Sequence, residues 1–257
     1  MGGILHTIRT TTVSRATAAV VLPPPTGFYG YYQFESFGPT LGQTAGASGW
    51  NSNLSGTVTE SAVRALVGTQ SKLSTTSNYI KLFDTIPRYV TYNNGFTIEG
   101  FVYITGNTTA YYNILGVSNE SGSQFINLSA YQNQTPTLVD SISGSGAGLS
   151  TLGTIPLNQW VHVFLTFYND LWWVGCNGKY EQAQTGTLKR NIQLPGFSEI
   201  NCAYLGQGLG NYGGSHPLMW CDAMAVNSGT RGYQGGNLTS TNLSGTYTIP
   251  TPSNGVW

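Results

Sequence analysis

The sequence predicts an all-β chain: an antiparallel β-sandwich of jelly-roll type with an extended N-terminal arm and an extended C-terminal tail. Three observations predict it. Short apolar-rich runs, broken by Gly, Asn, Ser or Pro, recur along most of the chain. The clearest of them, WVHVFLTFY (Trp160–Tyr168), alternates its residues between two faces, as a strand does. Helix periodicity is nearly absent, and helices do not alternate with the strands as they would in a parallel α/β sheet.

Taken in order, residues 1–27 form the arm. They carry Arg9, Arg15 and His6 but no acid, then a Thr/Ala stretch and Pro23-Pro24-Pro25. Such a segment has too little apolar surface for a core and is expected to be extended. Strands are expected at Phe28–Ser36, Asn78–Phe83, Phe96–Ile104, Tyr111–Val117, Gln124–Tyr131 and Thr137–Ile142. Further strands are expected at Trp160–Tyr168, Leu171–Asn177, Thr187–Leu194, Ala203–Gln207 and Leu218–Val226. TESAVRALVG (Thr59–Gly68) alone reads as a helix. The sandwich is thus assigned to residues 28–235 and the polar, extended tail to 236–257.

The stretch from Asn158 to Lys179 holds a histidine, a cysteine, an aspartate and three tryptophans, so it could be read as an active site. Spacing argues otherwise. Val161, Val163, Leu165 and Phe167 share one face of the first strand; Trp160, His162, Phe164, Thr166 and Tyr168 share the other. The chain turns at Asn169-Asp170. Trp172, Val174 and Cys176 then oppose Leu171, Trp173 and Gly175. Asn177-Gly178 predicts a hairpin, because a type I′ turn needs positive φ at both central residues. His162 therefore reads as a structural mid-strand residue, and Cys176 and Val163 as buried.

Composition sets limits on function. The 257 residues suit one large sandwich, and 40% hydrophobic content is enough for its core. Charged residues make up 8%, against about a quarter in typical soluble domains. Net charge is zero, which supplies neither the basic surface that nucleic acid needs nor attraction to an anionic membrane. No apolar run approaches the roughly 20 residues of a membrane helix. The N-terminal stretch lacks the apolar middle of a secretion signal. Cys176, Cys202 and Cys221 are odd in number and lack metal-ligand spacing, and so read as reduced core thiols. The acids are dispersed, so neither a metal nor a cofactor is expected.

Four motifs in order resemble the laminin-G-like, concanavalin A-like jelly-roll family. They are STTSNYIKLF (Ser74–Phe83), FTIEGFVYI (Phe96–Ile104), the Trp-x-His-Val strand followed by a strand ending in Asn-Gly, and MWCDAMAVNSGTRGY (Met219–Tyr233). Phe101 stands where that family usually has Trp. The resemblance covers residues 70–235 and implies two antiparallel sheets packed face to face, a fold that hosts lectins, glycosidases and scaffolds alike.

The glucanases of that superfamily carry Glu-x-Asp-x-x-Glu on one strand, two carboxylates about 5 Å apart. None of Asp84, Asp140, Asp170 and Asp222 has Glu two residues before it. No catalytic residue is assigned, and glycoside hydrolysis is the weakest alternative. A lectin needs aromatic faces beside amides and hydroxyls. The candidates are Tyr112, Tyr131, Asn133, Trp173 and, in the Gly-rich stretch Gly208–Pro217, Asn211, Tyr212 and His216. Low charge, abundant Gly, Ser, Thr, Asn and Tyr, and a basic arm resemble a tailed-bacteriophage virion protein, in which this fold family is found. The resemblance implies a non-enzymatic surface decoration or fibre component, made in the host cytoplasm. Residues 1–27 would join it to other virion proteins, the chain would form a homo-oligomer, and a host surface polysaccharide would be its ligand. A stand-alone carbohydrate-binding lectin is the alternative.

Overall fold

The structure, a computed structural model, describes residues 28–32, 43–44, 59–67, 71–74, 79–83, 96–106, 112–118, 125–131, 133–140, 146–168, 171–183, 202–206, 217–228 and 243–251. Their regular elements are β-strands apart from one 3₁₀ turn, Ser150–Leu152. The strands are β1 (Phe28–Tyr32), β2 (Gln43–Thr44), β3 (Thr59–Ser61), β4 (Ser71–Ser74), β5 (Tyr79–Phe83), β6 (Phe96–Thr105), β7 (Tyr112–Ser118) and β8 (Phe125–Ala130). There follow β9 (Pro136–Asp140), β10 (Gly146–Gly148), β11 (Trp160–Tyr168), β12 (Leu171–Cys176), β13 (Lys179–Gln182), β14 (Cys202–Gly206), β15 (Leu218–Ser228) and β16 (Ser244–Thr246).

They form two sheets with antiparallel pairing throughout. The front sheet runs β16-β13-β12-β11-β6-β15-β1-β2, with β4 also on β15 and β3 on β4. The back sheet runs β10-β9-β8-β7-β14-β5. This is the predicted all-β sandwich. Its core sits between the sheets: Ile98, Val102, Val161, Val163, Leu165, Phe167, Trp172, Val174, Cys176, Met219 and Cys221 of the front pack with Leu115, Val117, Ile126, Leu128 and Leu138 of the back. Leu149, Leu152 and Ile155, from the connection between β10 and β11, join the same core. The alternation expected in β11 and β12 holds residue by residue, because Phe164 and Trp173 pack together in a separate cluster on the opposite face. Asn177 (φ 47°) and Gly178 (φ 85°) make the two-residue turn between β12 and β13.

The helix expected over Thr59–Gly68 is not formed. Thr59–Ser61 is strand, and residues 62–67 bend across the front sheet. The cause is competition for amide protons. Val63 N–H donates to Ser61 Oγ (3.3 Å), and Leu66 and Val67 N–H both donate to Asp222 Oδ2 (2.9 and 3.0 Å). A distant carboxylate takes donors that a helix would pair with its own carbonyls, so tertiary structure overrides local propensity.

The tail, assigned as a separate extended segment, is extended but belongs to the sandwich over its described part. β16 pairs with β13, Gln182 N–H donates to Leu243 O (2.8 Å), and Tyr247 N–H donates to Gly178 O (2.9 Å). Tyr247 is buried against Phe164, Trp173 and Tyr180. The short strands β2, β3, β4, β10 and β16 carry too few alternating residues to be read from sequence. The arm, residues 1–27, and the strand expected at Thr187–Leu194 lie outside the described residues. Among the described residues no helix is long and apolar enough to cross a membrane.

Candidate functional site

Of the predicted sugar-binding residues, the four that the structure describes, Tyr112, Tyr131, Asn133 and Trp173, do not form one exposed site. Tyr112 is fully buried in the sandwich core, with its hydroxyl donating to Gln134 Oε1; burial raises its pKa. Trp173 is fully buried on the front sheet, edge-on to Tyr180 at 6.0 Å between ring centroids. Neither ring offers a face to a sugar, which corrects their assignment: alternation in each strand turns them toward packed neighbours. Tyr131 and Asn133 lie in the turn between β8 and β9 of the back sheet. Tyr131 is half-buried, and exposed Asn133 accepts from Thr135 N–H through Oδ1 (3.1 Å), so it organises its own turn. Asn211, Tyr212 and His216 lie outside the described residues.

The chemistry concentrates instead on the outer face of the front sheet, which two segments cover: residues 61–67 and the chain around Tyr247. Beneath them runs a sealed polar line. His162 Nδ1 lies 2.9 Å from Tyr247 Oη, and His162 Nε2 lies 3.4 Å from Glu99 Oε2. The Tyr247 hydroxyl also lies 3.5 Å from His162 O, to which it donates. Burial pushes the Tyr247 hydroxyl pKa well above the usual phenol value, which keeps it a proton donor. Glu99 and His162 are both under 2% exposed, and Phe101 and Tyr247 close over the imidazole at centroid distances of 5.0 and 5.6 Å. A base oriented by a carboxylate resembles catalytic machinery, but a group without access to substrate takes no proton from one. The arrangement fits the structural role expected for His162.

Asp222 is the second buried acid. It takes the Leu66 and Val67 amides on Oδ2 and its neighbour Ala223 N–H on Oδ1 (2.7 Å). A bulge makes this possible. Asp222 faces Phe101 of β6 and Ala225 faces Glu99, so one extra residue is fitted in between, with Ala223 at φ 48°. The bulge also divides the other edge of β15: β4 pairs up to Cys221 and β1 begins at Met224.

At the end of this face nearest residue 64, among the described residues, aromatic rings gather. Tyr103 on β6, Trp160 on β11 and Trp220 on β15 stand in adjacent rows, since Tyr103 pairs with both Trp160 and Trp220. Tyr103 meets Trp160 edge-on at 5.7 Å and Trp220 at 5.9 Å. Trp220 is buried and donates Nε1–H to Ser61 Oγ (3.0 Å), whereas Tyr103 and Trp160 are half-buried, Trp160 against the cluster of Phe101, Ala223 and Ala225. The Arg64 guanidinium lies over the Tyr103 ring at 4.1 Å and over Trp220 at 5.0 Å. Leu218, 44% exposed, continues the row beyond Trp220, opposite Thr105. The result is an aromatic platform with a cation beside it, open to solvent on one side. Sequence reading missed it because its members come from four separate segments and none lies in a conspicuous motif.

Among the described residues no group of three or more His, Cys, Asp and Glu side chains gathers where it could hold a metal ion. Cys176 and Cys221 are free, buried thiols; burial pushes the Cys176 pKa up to about 12.

No protein-family profile matches the sequence, and no curated protein is similar to it. Solved structures do resemble the fold. A sialidase from Trypanosoma rangeli, solved in complex with sialic acid, superposes with a TM-score of 0.59 at 15% identity over 85% of this chain and 32% of the sialidase. The receptor-binding domain of botulinum neurotoxin mosaic serotype C/D gives 0.51 at 15% identity, over 79% of this chain and 48% of that domain. The binding domain of botulinum neurotoxin DC in complex with SialylT gives 0.53 at 13% identity, over 79% and 48%. The chain thus spans about a third of the sialidase and about half of the toxin domains it resembles, and at these identities what it shares with them is a fold.

Proposed function

We propose that the protein is a non-enzymatic, glycan-binding β-sandwich, and that it serves as a surface decoration or fibre component of a bacteriophage virion. The observation that carries the binding part is the platform of Tyr103 and Trp160. Sugars lay their C–H faces on aromatic rings while polar groups at the rim take the hydroxyls, and partly accessible rings fixed by edge-on neighbours are preorganised for that. The likeness to a sialidase solved with sialic acid and to a toxin binding domain solved with SialylT agrees with this use of the fold.

The non-enzymatic part rests on the sealing of Glu99, His162 and Asp222, the buried acids and base among the described residues. The virion part rests on sequence texture: low charge, polar uncharged surface residues and the basic, proline-stiffened arm. In this reading the arm docks on other virion proteins, or on sister copies in a homo-oligomer, and the sandwich faces outward.

Glycan arrays and adsorption to host polysaccharides test the binding. Wild-type protein binds at least one glycan, and Trp160→Ala weakens that binding by roughly tenfold, as loss of a stacking contact does, with an unchanged circular dichroism spectrum. Folded wild-type protein that binds no glycan refutes the reading. Deleting residues 1–25 leaves a folded sandwich that no longer enters particles; normal incorporation would place the anchor elsewhere.

A further inference from the structure

Arg64 is an unusual residue for this chain. Only ten of the 257 residues are Lys or Arg, and ten Asp and Glu balance them. Yet among the described residues no carboxylate pairs with Arg64, and its Nε is buried without a hydrogen-bond partner. Cation–π contacts with Tyr103 and Trp220, whose rings stand at 89° to each other, hold the guanidinium in place. The backbone around it is fixed as well: Ser71 Oγ donates to Arg64 O, and the Leu66 and Val67 amides are tied to Asp222.

A guanidinium held over an aromatic ring with Nε turned inward still has its two terminal NH₂ groups, and these match the two oxygens of a carboxylate. Fixing the residue in advance removes the entropy that a free surface arginine loses on pairing. Two aromatic neighbours lower the local dielectric and strengthen the pairing. The half-buried ring of Trp160 lies alongside, 5.7 Å from Tyr103 between centroids.

We propose that Arg64 makes the platform selective for acidic glycans, pairing with the carboxylate of a uronic or ulosonic acid residue while a sugar ring stacks on Trp160. This rests on the glycan-binding reading and adds the class of sugar to it. The selectivity comes from a single cation placed over aromatic rings, in a chain with no net charge to attract anions in general.

The test uses the full chain with polygalacturonate and with α2,8-linked polysialic acid, each beside its carboxyl-reduced, neutral counterpart, in a binding titration. Wild-type protein binds one of the acidic polymers at least tenfold more tightly than its reduced form, the order expected for a charge-assisted contact, about tenfold to hundredfold. Arg64→Gln binds the two forms alike, and Arg64→Lys keeps part of the preference. Equal affinity of wild type for acid and reduced forms, within about twofold, overturns the role of Arg64 and leaves glycan binding standing. Binding only to neutral glycans on an array does the same. Absence of binding to every glycan overturns both readings. If Arg64→Gln fails to fold, the comparison of acidic and reduced polymers with wild type alone decides.

Discussion

Replacing Asp222 with alanine should unlock the segment that carries Arg64. Three amides lose their acceptor: Leu66 and Val67, held at 2.9 and 3.0 Å on one oxygen, and Ala223, held at 2.7 Å on the other. A buried donor left without a partner costs about 1–3 kcal/mol. The Leu66 and Val67 amides are only partly buried, so water recovers some of their loss, whereas the Ala223 amide lies deeper. The sum comes to about 3 kcal/mol, a large share of the stability of a single domain. Asp222→Asn keeps one carbonyl oxygen but turns an NH₂ toward the other donors, and should cost about half as much. Urea unfolding followed by tryptophan fluorescence measures both, with Trp220 and Trp160 beside the released segment as reporters. Sugar binding should weaken in Asp222→Ala at temperatures where the sandwich is still folded, because Arg64 loses its fixed position. If Asp222→Ala unfolds within about 0.5 kcal/mol of wild type, the carboxylate does not hold the segment down, and the account of why residues 62–67 fail to form a helix falls with it.

Other outcomes follow from the same packing. Cys176→Asp should destabilise the fold by more than about 4 kcal/mol, because it puts an uncompensated charge into the core, and native Cys176 should resist thiol reagents; fast labelling of the folded protein would contradict its burial. Stability should hold below about pH 9 and fall between pH 9 and 12, where the Cys176 thiol ionises in the unfolded chain but stays neutral in the folded one, with Tyr112 and Tyr247 adding to the fall as unfolded phenols ionise. Denaturation midpoints across that range check the sign, and rising stability would oppose it. Gly175→Ala should cost about 1–3 kcal/mol, because a Cβ there would overlap the Phe164 ring. Gly100→Ala should cost less, since its Cβ meets the movable end of Met224 first; thermal melts of the two variants set the order.

The sandwich was legible because its long strands are self-declaring. In β11 and β12 every second residue is apolar on one side, and Asn177-Gly178 allows one kind of turn, so faces and register follow from the sequence. The expected helix over Thr59–Gly68 failed for a reason that lies 155 and 156 residues further along the chain, in the carboxylate of Asp222. Local propensity carries no information about such a partner. The site was illegible for a related reason. Tyr112 and Trp173 stand in conspicuous aromatic neighbourhoods, which composition alone cannot tell from a binding surface. Burial decides whether a ring can meet a ligand, and the alternation rule does not say how much of a sheet's outer face is covered. Trp160 was placed on the correct face, with His162 and Phe164, but only the point where the covering segments end distinguishes it from them.

The pairing of β13 with β16 bears on how the chain reaches this state. Without Ser244–Thr246, Lys179–Gln182 would be an open sheet edge next to the hydrophobic strand β12, a template for association with another chain. The segment that closes that edge is synthesised after all the other described strands, and closing it brings together residues separated by roughly 60 positions, a slow kind of contact to form. Until then Phe164, Trp173 and Tyr180 also lack the ring of Tyr247 that covers them. A ribosome-bound or prematurely stopped chain would therefore display both an unpaired edge and an uncovered aromatic cluster, and self-association should be most severe for chains ending between Gln182 and Ser244.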